Sequence, residues 1–331
     1  MLNPKLFLNE KVFDDDVEQK PIRNGFGEGL VEAGKKDPRI VGLCADLTES
    51  TRMEAFAKEF PNRFIEVGIT EQNLASVASG MAAMGKIPFI SSYAAFSPGR
   101  NWEQIRTTIA YNNVPVKIVG SHAGISVGPD GGSHQALEDI TLMRVMPNMQ
   151  VICPCDAIEA KKATLHMAQN SHPTYIRLAR EKSPVITTDK TPFEIGKAQI
   201  FFQSKGDRMD VGIIACGSLV YQALQAAREL DEEGIKVVVL NMSTIKPLDT
   251  HSLDLIVRQT RALVTVEEHQ VAGGLGGAVA EYTASHTPTP IEFVGIKDVF
   301  GQSGKPDELL NFYNLNQNAI EQAVYKILSR K

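Results

Sequence analysis

Short apolar runs separated by helical stretches set the narrowest limit on how this chain can fold. Ile40-Val41-Gly42-Leu43, Ile87-Pro88-Phe89-Ile90, Val116-Lys117-Ile118-Val119 and Gln150-Val151-Ile152-Cys153 each have the length of a buried strand. Strands that are apolar throughout need cover on both faces, and parallel neighbours need a crossover between them. The spacing predicts a parallel α/β sheet over residues 20–185. Thr187-Thr188-Asp189-Lys190-Thr191-Pro192 breaks the pattern with turn residues and predicts a linker at 186–195. The alternation then restarts. Val211-Gly212-Ile213-Ile214-Ala215, Val237-Val238-Val239-Leu240, Ala262-Leu263-Val264-Thr265-Val266 and Ile291-Glu292-Phe293-Val294 read as four strands with a helix between each pair. The predicted fold class is α/β, with two doubly wound domains, the second spanning 196–331. Residues 1–19 are polar, carry Asp14-Asp15-Asp16, and are expected to form a mobile or partner-contacting arm.

The 331 residues, 43% of them hydrophobic, supply enough apolar material for two cores. A formal net charge of -5 disfavours nonspecific nucleic-acid binding, which needs clustered Lys and Arg. No apolar run approaches the length of a bilayer-spanning helix. Met1-Leu2-Asn3-Pro4-Lys5 lacks the basic start and long apolar core of a secretion signal. No membrane contact and a cytoplasmic location are expected. Cys153-Pro154-Cys155 is not the C-x-x-C of zinc or redox sites, so Cys44, Cys153, Cys155 and Cys216 are read as reduced and structural.

Chemistry concentrates at strand ends, where open α/β sheets bind ligands. Gly68-Ile69-Thr70-Glu71-Gln72-Asn73 puts a carboxylate where the strand Phe64-Ile65-Glu66-Val67 turns into a helix, with Thr70 as the expected N-cap. The small and apolar residues from Leu74 to Met84 predict a buried helix. Glu71 is then either a dipole-stabilised surface acid or a catalytic one. The loop from Gly120 to His134 brings His122, Asp130 and His134 together on a glycine-rich segment. Such a set can bind a polyhydroxylated substrate and move protons, or it can satisfy buried backbone. Tyr93-Ala94-Ala95-Phe96 offers two rings three residues apart, for a flat ligand or for the core. Arg180 and Ser50 also follow strands. An Arg there suits a phosphate, or a salt bridge at the rim. Gly273-Gly274-Leu275-Gly276-Gly277 opens a helix but lacks dinucleotide-binding spacing, which favours tight packing. His269 is a weaker candidate.

These motifs resemble the thiamine-diphosphate enzymes, specifically the C-terminal half of transketolase. The resemblance rests on Cys44-Ala45-Asp46-Leu47, the Gly68–Asn73 segment, Tyr93–Phe96, Gly120-Ser121-His122 and the run from Gly128 to Asp139. Arg144-Val145-Met146-Pro147-Asn148 and Arg177-Leu178-Ala179-Arg180 add to it. It covers the chain from about residue 20 to the end, in the manner of the C-terminal subunit of a split transketolase. It implies a pyrimidine-binding domain followed by a transketolase C-terminal-like domain. Glu71 is then the acid that shares a proton with the cofactor's pyrimidine nitrogen. Phe96 is the ring that stacks on the pyrimidine and Tyr93 lines the same pocket. Asp46 and Leu47 contact the cofactor. His122, Asp130 and His134 surround the sugar's carbonyl and hydroxyls, with His122 and His134 counted as catalytic. Ser50 and Arg180 bind the sugar phosphate. One departure is that Ser97-Pro98-Gly99-Arg100 is one residue longer than the usual segment, which leaves Arg100 without a role.

The family binds the cofactor's diphosphate through a metal held by a Gly-Asp-Gly motif and a later Asn. Gly206-Asp207-Arg208 is not that motif. The implied partner is an N-terminal transketolase subunit that carries the diphosphate and holds Mg²⁺, in an α2β2 heterotetramer that moves two-carbon units between the sugar phosphates of the pentose phosphate pathway. Three other readings stay open. They are the beta subunit of a 2-oxo acid dehydrogenase decarboxylase, a deoxyxylulose-phosphate synthase-like enzyme, and a noncatalytic partner that has kept the fold.

Overall fold

The apolar runs become the central strands of two sheets. A computed structural model describes residues 1–330. In chain order the strands are β1 (Gln19–Pro21), β2 (Ile40–Cys44), β3 (Phe64–Glu66), β4 (Ile87–Tyr93), β5 (Lys117–Ser121), β6 (Gln150–Ile152) and β7 (Thr174–Arg177). They continue with β8 (Lys182–Pro184), β9 (Gln199–Gln203), β10 (Val211–Ala215), β11 (Val237–Asn241), β12 (Thr244–Lys246), β13 (Leu263–Gln270) and β14 (Ile291–Ile296). The first sheet has seven strands in the order β12-β6-β7-β5-β4-β2-β3, parallel except for β12. The second has five, β14-β13-β10-β11-β9, with β9 alone antiparallel. Every residue of β2, β5, β10 and β11 is buried, as strands covered on both faces require. Two doubly wound α/β domains result. No helix among the described residues is long and apolar enough to cross a membrane.

The joins depart from the sequence expectation. Residues 1–19 are no free arm. Leu8, Val12 and Val17 are buried, Asn3 N–H donates to Phe201 O at 2.9 Å, and Asn9 Nδ2 donates to Val185 O at 2.8 Å. The alternating polar residues hid a handful of apolar anchors. The 186–195 segment is strapped to the first domain at its start. The buried Asp156 carboxylate accepts Ile186 N–H at 2.8 Å and Thr187 N–H at 2.6 Å. Strand β12 follows the second domain's β11 yet completes the first sheet by pairing with β6.

The helix Glu71–Ala83 is buried on one side only. Leu74, Ala75, Ala78, Ser79 and Ala82 face the core, whereas Gln72, Asn73, Ser76, Gly80 and Ala83 are exposed. Polarity marks this division only in the first turn, at Gln72 and Asn73; beyond it small residues lie on both sides, with Ser76, Gly80 and Ala83 exposed and Ala75, Ala78 and Ser79 buried.

A buried ion pair binds sheet to loop. Arg177 Nε donates to Asp139 Oδ2 at 2.9 Å, and Tyr175 Oη donates to the same oxygen at 2.7 Å. Burial works to lower the Arg177 pKa. The Asp139 carboxylate, with Cys153, Glu268 and Tyr175, more than offsets it, so the guanidinium ends above its ordinary value. Removing one partner of such a pair strands a charge. We expect Asp139→Ala to lose about 3–5 kcal/mol of stability in urea unfolding. A loss under about 1 kcal/mol would show that water reaches the site.

Candidate active site

Loops at the carboxyl ends of β2, β3, β4 and β5 converge on Glu71. The residue opens its helix at 1% exposure, so its carboxylate must find partners inside the protein. Arg100 Nη1 donates to Oε2 at 2.7 Å, Ser92 Oγ reaches Oε1 at 3.4 Å, and Asn101 Nδ2 holds the Glu71 carbonyl at 3.0 Å. Thr70 occupies the N-cap position but makes no side-chain cap. Its hydroxyl turns back and donates to Val67 O at 2.8 Å. The preceding turn is held instead by Glu66, whose Oε1 accepts Gly68 N–H at 3.0 Å and Asp46 N–H at 2.7 Å. Glu66 thereby ties the loop bearing Asp46 and Leu47 to the one that delivers Glu71.

The Ser97–Arg100 segment carries Arg100 back to Glu71, and its guanidinium carbon lies 4.7 Å from the centre of the Phe96 ring. A flat group rich in N–H donors is thus already accommodated between a carboxylate and an aromatic face. An aminopyrimidine makes the same demands, and the residues present fit that part of thiamine diphosphate once Arg100 moves aside.

Four rings adjoin this point. Tyr93 and Phe96 lie nearly parallel with centroids 6.1 Å apart, and Tyr93 stacks on His122 at 3.9 Å. His134 meets Phe96 edge-on at 5.3 Å. Glu71, Tyr93, Phe96, His122 and His134 therefore share one site. Asp130 does not join them in the same way. It is exposed, and among the described residues no hydrogen bond links it to either histidine.

His122 has a fixed protonation pattern. Arg23 Nη1 lies 3.1 Å from His122 Nε2, and an arginine can only donate, so Nε2 carries the lone pair. Nδ1 then bears the proton and donates to Ser121 Oγ at 2.9 Å. Burial, helped by the charges of Arg23, Arg180 and Arg52, pushes the imidazole down to about 3. The ring is thus neutral near pH 7 and held in one tautomer.

Arg23 also donates to Ser50 O at 2.7 Å, which places Ser50 beside the histidine through its backbone. Arg180 Nη1 donates to Val127 O at 2.7 Å, and its charge acts on both His122 and Arg23. Three guanidinium groups thus flank one end of the site. Sequence reasoning passed over Arg23, Arg52 and Glu66, and left Arg100 without a role. Arg23 lies early in a long helix, far along the chain from the loops it serves, and no local pattern distinguishes it.

Two sequence candidates fall outside the site. At the glycine-rich loop, Glu267 accepts Leu275 N–H at 2.7 Å and Gly276 N–H at 2.8 Å, so the helix start already holds an acid. His269 is buried, donates from Nδ1 to Gln270 O at 2.7 Å, and is pushed down to about 4 by burial. Among the described residues no group of three or more His, Cys, Asp or Glu is arranged to hold a metal ion. All four cysteines are free and buried.

The transketolase pyrimidine-binding domain family matches residues 18–185, and the transketolase C-terminal domain family matches 202–320. A putative transketolase C-terminal section from Methanocaldococcus jannaschii is 44% identical, over 94% of this chain and 98% of its own length. Human transketolase is 36% identical over 93% of this chain but only 49% of its own length. A solved split-gene transketolase in an inactive beta4 tetramer is similar at a TM-score of 0.86 and 44% identity, covering 93% of this chain and 98% of its own.

The depressed His122 pKa has a definite sign. The unfolded ring takes a proton below about 6.5 while the folded ring does not, so its contribution to stability is present at pH 7 and falls as pH drops. Between pH 7 and pH 5 the native chain should lose stability relative to His122→Asn by on the order of 1–2 kcal/mol. Paired melting curves at the two pH values check this. A constant difference between the proteins would mean that the ring titrates in the fold as it does in the unfolded chain.

Proposed function

We propose that this chain, which belongs to the transketolase family, is the pyrimidine-binding subunit of a split, thiamine-diphosphate-dependent transketolase. The observation that carries this reading is the Glu71 carboxylate, sealed at 1% exposure and joined through the Arg100 guanidinium to the face of the Phe96 ring. A surface acid would be solvated, and a structural one would not need an aromatic platform. The chain's span of about half of human transketolase supports a separate subunit for the diphosphate and Mg²⁺, in an α2β2 assembly. The proposed reaction moves a two-carbon ketol unit from a ketose phosphate to an aldose phosphate.

Thiamine diphosphate, when bound, supplies the electron sink for breaking the bond between the ketose's second and third carbons. This chain supplies placement and proton control. Phe96, with Tyr93 behind it, presents a flat apolar face to the pyrimidine ring. Glu71 holds or shares a proton at the ring nitrogen, and burial keeps water from competing for it. Asp46 and Leu47, steadied by Glu66, close the same side. Neutral His122 and half-buried His134 offer hydrogen bonds to the sugar's carbonyl and hydroxyl oxygens, and Asp130 reads a hydroxyl from the rim. Arg180 and Ser50 receive the phosphate, in a field that Arg23 and Arg52 make positive.

The test is reconstitution. The chain alone, given thiamine diphosphate and Mg²⁺, should not turn over a ketose phosphate and an aldose. Addition of a diphosphate-binding subunit from the same source should start ketol transfer. Turnover by the lone chain would overturn the division of labour. Decarboxylation of a 2-oxo acid by the pair, without ketol transfer, would overturn the substrate class. In the active pair, Glu71→Gln should keep the fold and lose about a hundredfold or more in rate, as removal of a proton-transfer group does. A near-normal rate would remove Glu71 from the mechanism.

The arginine predicts a separate effect. Arg180→Ala should raise KM for phosphorylated sugars by about tenfold more than for their unphosphorylated counterparts, because a charge-assisted bond to phosphate is lost. Equal changes for both would place the phosphate elsewhere.

A further inference from the structure

The loop that carries His122, Asp130 and His134 is built into the second domain. Its apolar residues Ile125 and Leu137 are buried within a hydrophobic cluster made mostly of second-domain residues, among them Ile213, Leu219, Val264, Val266, Val294 and Leu309. Its backbone is held from the same side. Ser126 N–H donates to Glu268 Oε1 at 2.6 Å, and Gln270 N–H donates to Leu137 O at 2.8 Å. Gln135 Nε2 sits among three carbonyls, those of Ile125, Gly128 and Gln302, at 3.1, 3.2 and 3.0 Å. Gln302 belongs to the segment that follows β14.

The fit leaves no slack. A Cβ on Gly124 would lie 2.4 Å from Glu268 Oε1, and one on Gly131 would lie 2.6 Å from Ser303 Oγ. Both glycines also have positive φ, +93° and +75°. The loop's glycines therefore serve close approach to the second domain as much as turning.

Glu268 is central to this contact. It is 3% exposed and ends no pathway of its own. Its carboxylate takes the Ser126 amide on one oxygen and Ser218 Oγ on the other at 3.2 Å. Its backbone carbonyl accepts Arg177 Nη2 at 2.8 Å, and Arg177 also bonds Asp139 at the far end of the loop. One residue of β13 thus grips both the start of the loop and the ion pair that anchors its end.

We propose that the second domain acts as the platform that sets the sugar-binding loop, with Glu268 as its principal positioning residue. The inference deepens the function proposed above and rests on that reading for its kinetic part. Glu268 touches neither sugar nor cofactor. It acts by fixing the height at which His122 and His134 meet the substrate.

Two variants test this in the reconstituted pair and in the chain alone. Glu268→Ala removes both acceptors. Glu268→Gln keeps an oxygen for Ser126 N–H and turns its amide to Ser218 Oγ, which can accept. In the pair, Glu268→Ala should raise the ketose KM about tenfold, with kcat changed much less, as small displacements of binding groups do. Glu268→Gln should restore most of the loss. In the chain alone, hydrogen exchange over residues 122–135 should quicken in Glu268→Ala while β2 and β4 stay protected. If the wild-type pair is inactive, the functional reading fails, and the exchange result still decides whether the second domain holds the loop. An active wild-type pair with unchanged KM in Glu268→Ala, or exchange that quickens equally across the first domain, overturns the proposal.

Discussion

A guanidinium taken out of water must be answered by oxygen atoms, and around Arg177 those atoms come from three parts of the molecule. The Asp139 carboxylate opens the helix after the glycine-rich loop, the Ala136 carbonyl belongs to the segment between them, and the Glu268 carbonyl belongs to the second sheet. Coulombic attraction here is strong because burial has removed its competitor, and it is directional because the donors form a planar fork. The end of β7 therefore cannot be formed without fixing the loop and the second domain at once. The loop that carries His134 is fixed at its end by that single arrangement, while His122 is held by Arg23 and Ser121.

A second layer of order lies closer to the chemistry. Glu66 joins the loop after β2 to the turn after β3, and Arg100 joins the segment after β4 to Glu71. Each link is a carboxylate held by donors from a different crossover. Rigid sheets bring the loops near one another, but these charged bonds set them at ångström precision. Without them, three flexible segments would each lose entropy to reach the same geometry.

Much of this was legible along the chain. Strands β2, β10 and β11, and the leading residues of β4 and β13, announce themselves because burial on both faces makes them almost wholly apolar, and Glu71, Tyr93, Phe96, His122 and His134 stand out beside strand ends. The rest depends on partners distant in sequence. Arg23 gains meaning only through His122, 99 residues away, and Ser126 through Glu268, 142 residues away. The short edge strands β9 and β12, of five and three residues, are too brief to set up a recognisable period. The expected Thr70 cap failed for a local reason. The backbone there, at φ -139° and ψ 70°, directs the hydroxyl toward Val67 rather than into the helix.

Strand β12 bears on how the chain can be divided. Composition draws a boundary near residue 190, yet the edge of the first sheet is finished by residues 244–246. A fragment that ends at the compositional boundary would leave β6 with a bare row of backbone donors and acceptors beside the buried Val151 and Ile152. Such an edge is a template for pairing with other copies. The two halves are thus interlaced, and a first domain expressed by itself would be prone to sticking to its own kind, whatever its internal stability.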